Sequence, residues 1–262
     1  MIDARIDKFP RKTSLKIAYR ESGAGQALVL LHGIGSNAAS WLFQLEGLKG
    51  FRMIAWDAPG YGGSLFLDKP EPEPADYAEA LRAFIDSLLL KDVILVANSL
   101  GALMAGAYAR LQPERVRAML LISPAGGYGG DRSIFEQRVK QLDELGPDGM
   151  AEKRTPTLVG PGAPALALEL LRWNQRRIRP QGYRQAAHCL AMGRLAEDAR
   201  HFRKPVLVVC GSEDRITPEA GCKAVARAFP KSEYRSLPGL GHVAHIEDPG
   251  QINRLIAGFA AS

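Results

Sequence analysis

Short apolar runs that end at turn residues punctuate this chain. They are Ala27–Leu31 before His32-Gly33, Met53–Trp56 before Asp57, Val93–Ala97 before Asn98-Ser99, Met119–Ile122 before Ser123-Pro124, and Val206–Cys210 before Gly211. Runs apolar at consecutive positions suit strands buried on both faces, as in a parallel sheet. Helical spacing lies between them. Over Tyr77–Leu90, Ala80, Leu81, Phe84, Ile85, Leu88 and Leu89 share one face, with Asp76 as the expected N-cap. Leu100–Leu111 is nearly all apolar or small and reads as a buried helix, and Pro218–Phe229 and Gln251–Phe259 read as later helices. Arg5–Phe9 and Leu15–Tyr19 read as an antiparallel edge hairpin. Strands alternating with helices predict an α/β fold with a mainly parallel sheet.

The alternation stops between Gly126 and Arg203, where helical patches (Ile134–Leu142, Ala165–Arg177, Gln181–Met192) are separated by Pro and Gly, and it resumes at Pro205. The pattern predicts a core of residues 1–125 and 204–262, interrupted after a central strand by a helical lid at 126–203. Lids are where substrate choice usually resides. Pro70-Glu71-Pro72-Glu73-Pro74 reads as a stiff surface connector.

Composition adds exclusions. At 262 residues, 46% hydrophobic and 24% charged, the chain is neither disordered nor fibrous. No apolar run approaches the roughly 20 residues that cross a bilayer, and the start lacks a secretory pattern, so no membrane partner is expected. Cys189, Cys210 and Cys222 lack metal-ligand spacing and read as reduced thiols of a cytoplasmic protein. The formal charge of +6 is concentrated: residues 126–204 hold 14 Lys+Arg against 9 Asp+Glu. With no basic stripe along the core, nucleic acid is not expected as a partner. Lid arginines (Arg172, Arg176, Arg177, Arg179, Arg184) would draw in a small anionic substrate if one or two faced the cleft, though most are expected to face solvent. No apolar stripe fixes the oligomeric state; a dimer stays open.

Ala97-Asn98-Ser99-Leu100-Gly101 joins a buried strand to a buried helix, the context of a nucleophile elbow of the form G-x-S-x-G with Ala97 for the first glycine. Read alone, Ser99 serves equally as a helix cap. After the first buried run, His32-Gly33-Ile34-Gly35 forms a turn able to offer the Ile34 N–H to an oxyanion, with the Leu100 N–H as second donor. Gly239-Leu240-Gly241-His242 supplies a base on a glycine-rich loop, with His245 as competitor and His188 and His201 in the lid and its exit. Gly211-Ser212-Glu213-Asp214 places Asp214 at a strand's carboxyl end, where it would orient the imidazole. Glu213 is its rival, and Asp248 reads as a helix cap. Ser99, Asp214 and His242 occur in the order Ser, acid, His.

With Asp57-Ala58-Pro59-Gly60-Tyr61-Gly62-Gly63-Ser64, these blocks resemble the α/β-hydrolase superfamily over essentially the whole length. The resemblance implies the α/β-hydrolase fold with a helical lid, a Ser99-Asp214-His242 triad, and no metal or organic cofactor. Asn98, Ser123-Pro124-Ala125-Gly126-Gly127 and the pair Arg172-Trp173 are similar to meta-cleavage-product hydrolases, which cut a C–C bond in dienoic keto acids; there the arginine meets a substrate carboxylate. Three departures weigh against that subgroup: no Pro-Gly extension of the oxyanion turn, Val243 where tryptophan is common, and Ala102 where a second glycine is usual. The expected activity is hydrolysis of a small ester or lactone through an acyl-enzyme. The C–C hydrolase is the alternative, and a non-catalytic ligand receptor on the same scaffold is a minor one. Asn98, Arg172 and Trp173 are the candidate substrate contacts.

Overall fold

In the computed structural model, which describes residues 2–261, the apolar runs pair into one eight-stranded sheet. The strands are β1 (Lys12–Ser14), β2 (Ile17–Ser22), β3 (Gln26–Leu31), β4 (Phe51–Trp56), β5 (Val93–Asn98), β6 (Val116–Ile122), β7 (Val206–Gly211) and β8 (Ser232–Leu237), in the order β1-β2-β4-β3-β5-β6-β7-β8. The β1–β2 and β2–β4 pairs are antiparallel and the rest are parallel. Six parallel strands, β3 to β8, therefore feed their carboxyl-end loops to one edge. The chemistry-bearing residues identified above lie there.

Each central strand is apolar on both faces because each face is covered. Val29, Leu31, Leu95, Ala97, Met119, Leu121 and Val208 join one buried cluster, which includes Leu81 and Phe84 of α3 (Pro74–Ser87), Leu103 of α4 (Gly101–Leu111) and Val225 of α9 (Glu219–Ala228). The alternate residues Leu28, Leu30, Ile94, Val96, Leu120 and Val209 join another, with Leu45 of α2 (Leu42–Gly47) and Ile252 and Ile256 of α11 (Pro249–Ala261). Burying each such side chain contributes about 1.5–3 kcal/mol.

Between β6 and β7 stand α5 (Arg132–Arg154), α6 (Ala165–Gln175), α7 (Pro180–Met192) and α8 (Leu195–Ala199). α5 breaks at Gly146, which takes φ 60, ψ 178 ahead of Pro147. The expected helical segment is present, but α8 packs with α4 and α9 in the layer beneath the sheet rather than above the strand ends.

Other local expectations need correction. The Arg5–Phe9 limb of the expected hairpin is not a strand: Ile2–Ile6 forms helix α1, because Ile2 and Ile6, one turn apart, pack into a cluster with Leu170 and Leu171 of α6. The antiparallel hairpin is instead β1–β2. Helix α3 begins three residues earlier than the apolar face suggested, with Pro74 in its first turn. Asp76 lies inside it, accepting the Glu73 N–H at 2.7 Å in a capping box. The Pro-rich connector is not wholly at the surface, since Pro72 is buried and its carbonyl meets His188 Nδ1 at 3.1 Å. Among the described residues no helix is long and apolar enough to cross a membrane.

The approach of α4 to β3 is a tight constraint near the strand ends. A Cβ built on Gly101 would run into the Leu31 carbonyl. Gly101→Ala should cost about 1–3 kcal/mol, read as a lowered urea midpoint with unchanged slope. An unaltered midpoint would mean that α4 can move away from β3 freely.

Candidate active site

Ser99 follows β5 directly and takes φ 52, a left-handed conformation that side chains rarely adopt. Three backbone hydrogen bonds hold it: its N–H donates to Ile122 O at 3.1 Å, and its carbonyl accepts from Ala102 N at 3.0 Å and Ala125 N at 3.1 Å. Strand, helix and the loop after β6 thus fix one residue. Among the described residues no acceptor is hydrogen-bonded to the N–H of Leu100 or of Ile34. The Ile34 turn is braced by His32, whose Nδ1 donates to Gly33 O at 2.8 Å while Nε2 accepts the Ala58 N–H at 3.0 Å. That pattern selects the neutral Nδ1–H tautomer, and burial depresses the His32 pKa in the same sense. Asp57 fixes the neighbouring loop, accepting from Ala38 N at 2.8 Å and Gly63 N at 3.0 Å.

Asp214 is buried just beyond β7 and accepts from the N–H groups of Ile216 at 2.8 Å and Thr217 at 3.0 Å. His242 Nδ1 lies 3.0 Å from its Oδ2. Burial opposes the charge on Asp214, but the hydrogen bond and charge of His242 and the Thr217 N–H outweigh it and draw the carboxyl down to about 2. Thr217 Oγ1 also sits 2.8 Å from Asp214 Oδ2 and 3.2 Å from His242 Nδ1.

The His242 loop is held from three sides. Its N–H donates to Leu158 O at 2.9 Å, and its carbonyl accepts from Asn98 Nδ2 at 3.1 Å. The buried carboxylate of Glu247, on the short helix α10 (Ala244–Glu247), receives the N–H groups of Gly241 at 3.0 Å and Gly160 at 2.7 Å. A Cβ on Gly241 would lie 2.6 Å from Gly160 N, so only glycine allows the two loops to share that carboxylate. Burial raises the Glu247 pKa and these donors oppose the rise.

Ser99, Asn98, Ile34, Thr217 and His242 line one cavity of about 50 Å³ between the strand ends and the inserted helices. The structure therefore brings Ser99, Asp214 and His242 to one place, with the backbones of Ile34 and Leu100 beside them. Asn98 reaches the cavity, but both protons of its amide are taken by Ile122 O and His242 O, each at 3.1 Å. It ties the elbow to the histidine loop.

Arg172 and Trp173 are not brought there. Arg172 Nε lies 3.5 Å from Glu152, and Trp173 Nε1 donates to Asp3 at 2.6 Å with Arg177 stacked on its ring. Their neighbours Leu171, Asn174 and Gln175 take the inward positions of α6. The helical phase of α6 turns the Arg-Trp pair to the outer face.

Of the competitors, His245 lines the cavity but stacks on Trp41 at 4.3 Å. Burial, then the charge of His242, push its pKa down to about 3. His188 is taken up by Pro72 O, and Asp248 caps α11 by accepting Gln251 N at 2.9 Å. Sequence reading placed His32 in the oxyanion turn but not as its brace, and it missed the supports Thr217 and Glu247 as well as Arg138 and Arg154, which also line the cavity. Only the three-dimensional pairing of loops identifies them.

Many known proteins are similar to this chain. A relative from Paraburkholderia phymatum, a 2-hydroxy-6-oxononadienedioate/2-hydroxy-6-oxononatrienedioate hydrolase, is 28% identical over 94% of this chain and 91% of its own length. A thermophilic esterase from Thermogutta terrifontis superposes with a TM-score of 0.86 at 24% identity, covering 97% of this chain and 98% of the other. The enol-lactonase from Burkholderia xenovorans superposes with a TM-score of 0.85 at 20% identity, covering 97% and 100%. The model of the alpha/beta hydrolase family matches residues 28–255. With that match spanning the parallel strands from β3 onward and every loop of the site, the chain belongs to the alpha/beta hydrolase family and is a hydrolase.

Proposed function

We propose that the protein is a serine hydrolase of small carboxylic esters or lactones. The observation that carries this reading is the 3.0 Å pairing of His242 Nδ1 with a buried, ionised Asp214, with the imidazole and Ser99 facing one cavity. Ser99 Oγ attacks the substrate carbonyl while His242 Nε2 takes its proton, and Asp214 steadies the resulting imidazolium. The oxyanion is received by the N–H groups of Ile34 and Leu100, donors of a kind whose loss costs about 10²–10³ in rate. Collapse of the intermediate expels the alcohol, protonated by His242, and leaves an acyl-Ser99. Water deprotonated by His242 then attacks the acyl carbon, releasing the acid and restoring Ser99. The chain acts without metal or organic cofactor in this scheme.

A cavity of about 50 Å³ holds roughly four water molecules, which supports a short acyl group. Helices α5, α6 and α7 serve as the lid. Three buried, unpaired cysteines suit a reducing compartment, and we assign the cytoplasm. The alternative, hydrolysis of a C–C bond in a dienoic keto acid, is favoured by the activity of the Paraburkholderia relative. Against it stands the outward turn of Arg172 and Trp173.

A fluorophosphonate should label Ser99 in the wild type and fail on Ser99→Ala. Short p-nitrophenyl esters should be turned over, and Asp214→Asn should lower kcat about 10⁴-fold. Absence of labelling in a folded protein refutes the nucleophile, and fast bleaching of a dienoate with poor ester turnover selects the C–C reaction.

The depressed Asp214 carboxyl also sets an acid limit. Its folded pKa lies below the ordinary value of about 3.9, so the ionised group contributes about 2 kcal/mol above about pH 5, lost as pH falls toward 2. Denaturation midpoints measured across that range should flatten in Asp214→Asn; an equally steep wild-type and variant profile would assign the acid loss elsewhere.

Glu247→Ala leaves the Gly160 and Gly241 N–H groups buried without their acceptor. It should cost about 1–3 kcal/mol and lower kcat, with Glu247→Gln intermediate because one oxygen acceptor remains. If kcat is unchanged while stability falls, Glu247 supports the fold and not the His242 loop.

A further inference from the structure

The positive charge of the inserted helices is unequally neutralised. Arg172 Nε lies 3.5 Å from Glu152, Arg176 Nη2 2.7 Å from the same carboxylate and Arg177 Nη2 3.6 Å from Asp3, while Arg184 pairs with Asp143. These arginines occupy the outer face and carry their own counter-ions. Arg138 and Arg154 are different. Both line the Ser99 cavity, and among the described residues no carboxylate pairs with either. Arg154 Nη1 donates to Tyr183 Oη at 2.8 Å, a neutral partner. Burial first, and then the like charge of Arg138, work against the Arg154 guanidinium. Two neighbouring cations, partly withdrawn from water without an anion, are costly unless something supplies the charge.

The cavity also opens outward past these residues. Tyr128, Arg138, Arg154 and Ile216 line both it and an outer groove of about 540 Å³ along α5. On the groove wall Glu144 is matched by Lys140 at 3.9 Å, which leaves Arg138, Lys153 and Arg154 as unmatched charge among its described residues. The nucleophile is thus reached through a mouth of one sign. Guanidinium groups bind carboxylates through two parallel N–H···O bonds, the geometry that such a mouth offers.

We propose that Arg154 and Arg138 form a carboxylate subsite at the mouth of the Ser99 cavity, so that the preferred ester or lactone carries an anionic carboxylate on the limb that extends into the outer groove. The proposal rests on the acyl-transfer reading above and adds to it the substrate class. The carbonyl is delivered to Ser99 by the inner cavity, and the distant charge is held by α5.

The test compares mono-p-nitrophenyl glutarate with p-nitrophenyl valerate, which match in chain length and differ in the terminal charge. The charged ester should have at least about tenfold the kcat/KM of the neutral one. Arg154→Gln and Arg138→Gln should each lower that ratio at least about fivefold, chiefly through KM. Arg184→Gln, on the outer face, should leave the ratio as it is. Arg154→Gln also removes the Tyr183 contact, so Arg138→Gln carries the test if the former does not fold. A ratio near one in the wild type, or one unmoved in a folded Arg138→Gln, overturns the proposal. Faster turnover of the corresponding 4-phosphonobutyrate ester overturns the carboxylate assignment in favour of phosphate. If Ser99 proves not to be the nucleophile, neither ester is turned over and the fluorophosphonate does not label. The subsite is then read by calorimetry with glutarate, whose binding should be lost in Arg138→Gln; absence of wild-type binding overturns it.

Discussion

The site depends on one strained turn. Ser99 is held at φ 52 between β5 and α4, a backbone conformation that costs a non-glycine residue about 1–3 kcal/mol. The turn persists because its surroundings over-determine it: Ile122, Ala102 and Ala125 take up its backbone groups, and Gly101 lets α4 lie against the Leu31 carbonyl. Relaxing Ser99 would require moving the helix that covers one face of the sheet. Core packing therefore maintains the strain, and the strain projects the hydroxyl into the cavity. The small residues of α4, read in the sequence as a buried helix, are the condition for both.

Around that turn, the remaining parts are loops from different strands, joined by buried polar side chains. Asn98 ties the elbow to the His242 carbonyl, His32 ties the Ile34 turn to Ala58, and Glu247 ties the His242 loop to Gly160. Each bond crosses between loops that backbone geometry alone leaves independent. Buried polar groups of this kind are costly if half satisfied and rigidifying if fully paired. Here they are paired on the side that faces the loops. The inserted segment shares in this arrangement, since Leu158 and Gly160 precede α6 and bind the histidine loop, Leu158 directly and Gly160 through Glu247. The position of His242 therefore depends on the segment that leads into α6.

The sequence makes the frame legible and the supports illegible, for a physical reason. The central strands announce themselves because burial on both faces demands apolar residues at every position, and Ser99, Asp214 and His242 lie where such runs end. β8, at the sheet edge, has exposed Glu233, Arg235 and Ser236 and gives no such run. The N-terminal helix was hidden for a related reason: Ile2 and Ile6 become apolar neighbours only when α6 arrives to cover them. Glu247 and Thr217 carry no local pattern, because their significance lies in which distant N–H or imidazole they meet. Arg172 shows the converse error. A dipeptide resemblance does not specify helical phase, and one position along α6 separates Arg172, which meets Glu152 of α5, from the inward Leu171.

Phase also governs how the chain's charge acts. A formal +6 invites a search for a large acidic partner, yet five of the eleven arginines in residues 126–204 are met by carboxylates of α1, α5 or the loop before α3, and Arg194 by Glu197 of α8. Exposed pairs of this kind are worth about 0–1 kcal/mol each, so their consequence is less stability than cancellation. They flatten the field over the outer surface, beyond a Debye length of about 8 Å at physiological salt. Of the charge left without a carboxylate, Arg138 and Arg154 sit where low-dielectric walls focus it, at an opening shared by the cavity and the groove. Meanwhile His32 and His245 are kept neutral by burial, so they add nothing to that field. The net charge of the chain is thus a poor guide to its partners, and the distribution of its unpaired residue around Ser99 is the physically meaningful quantity.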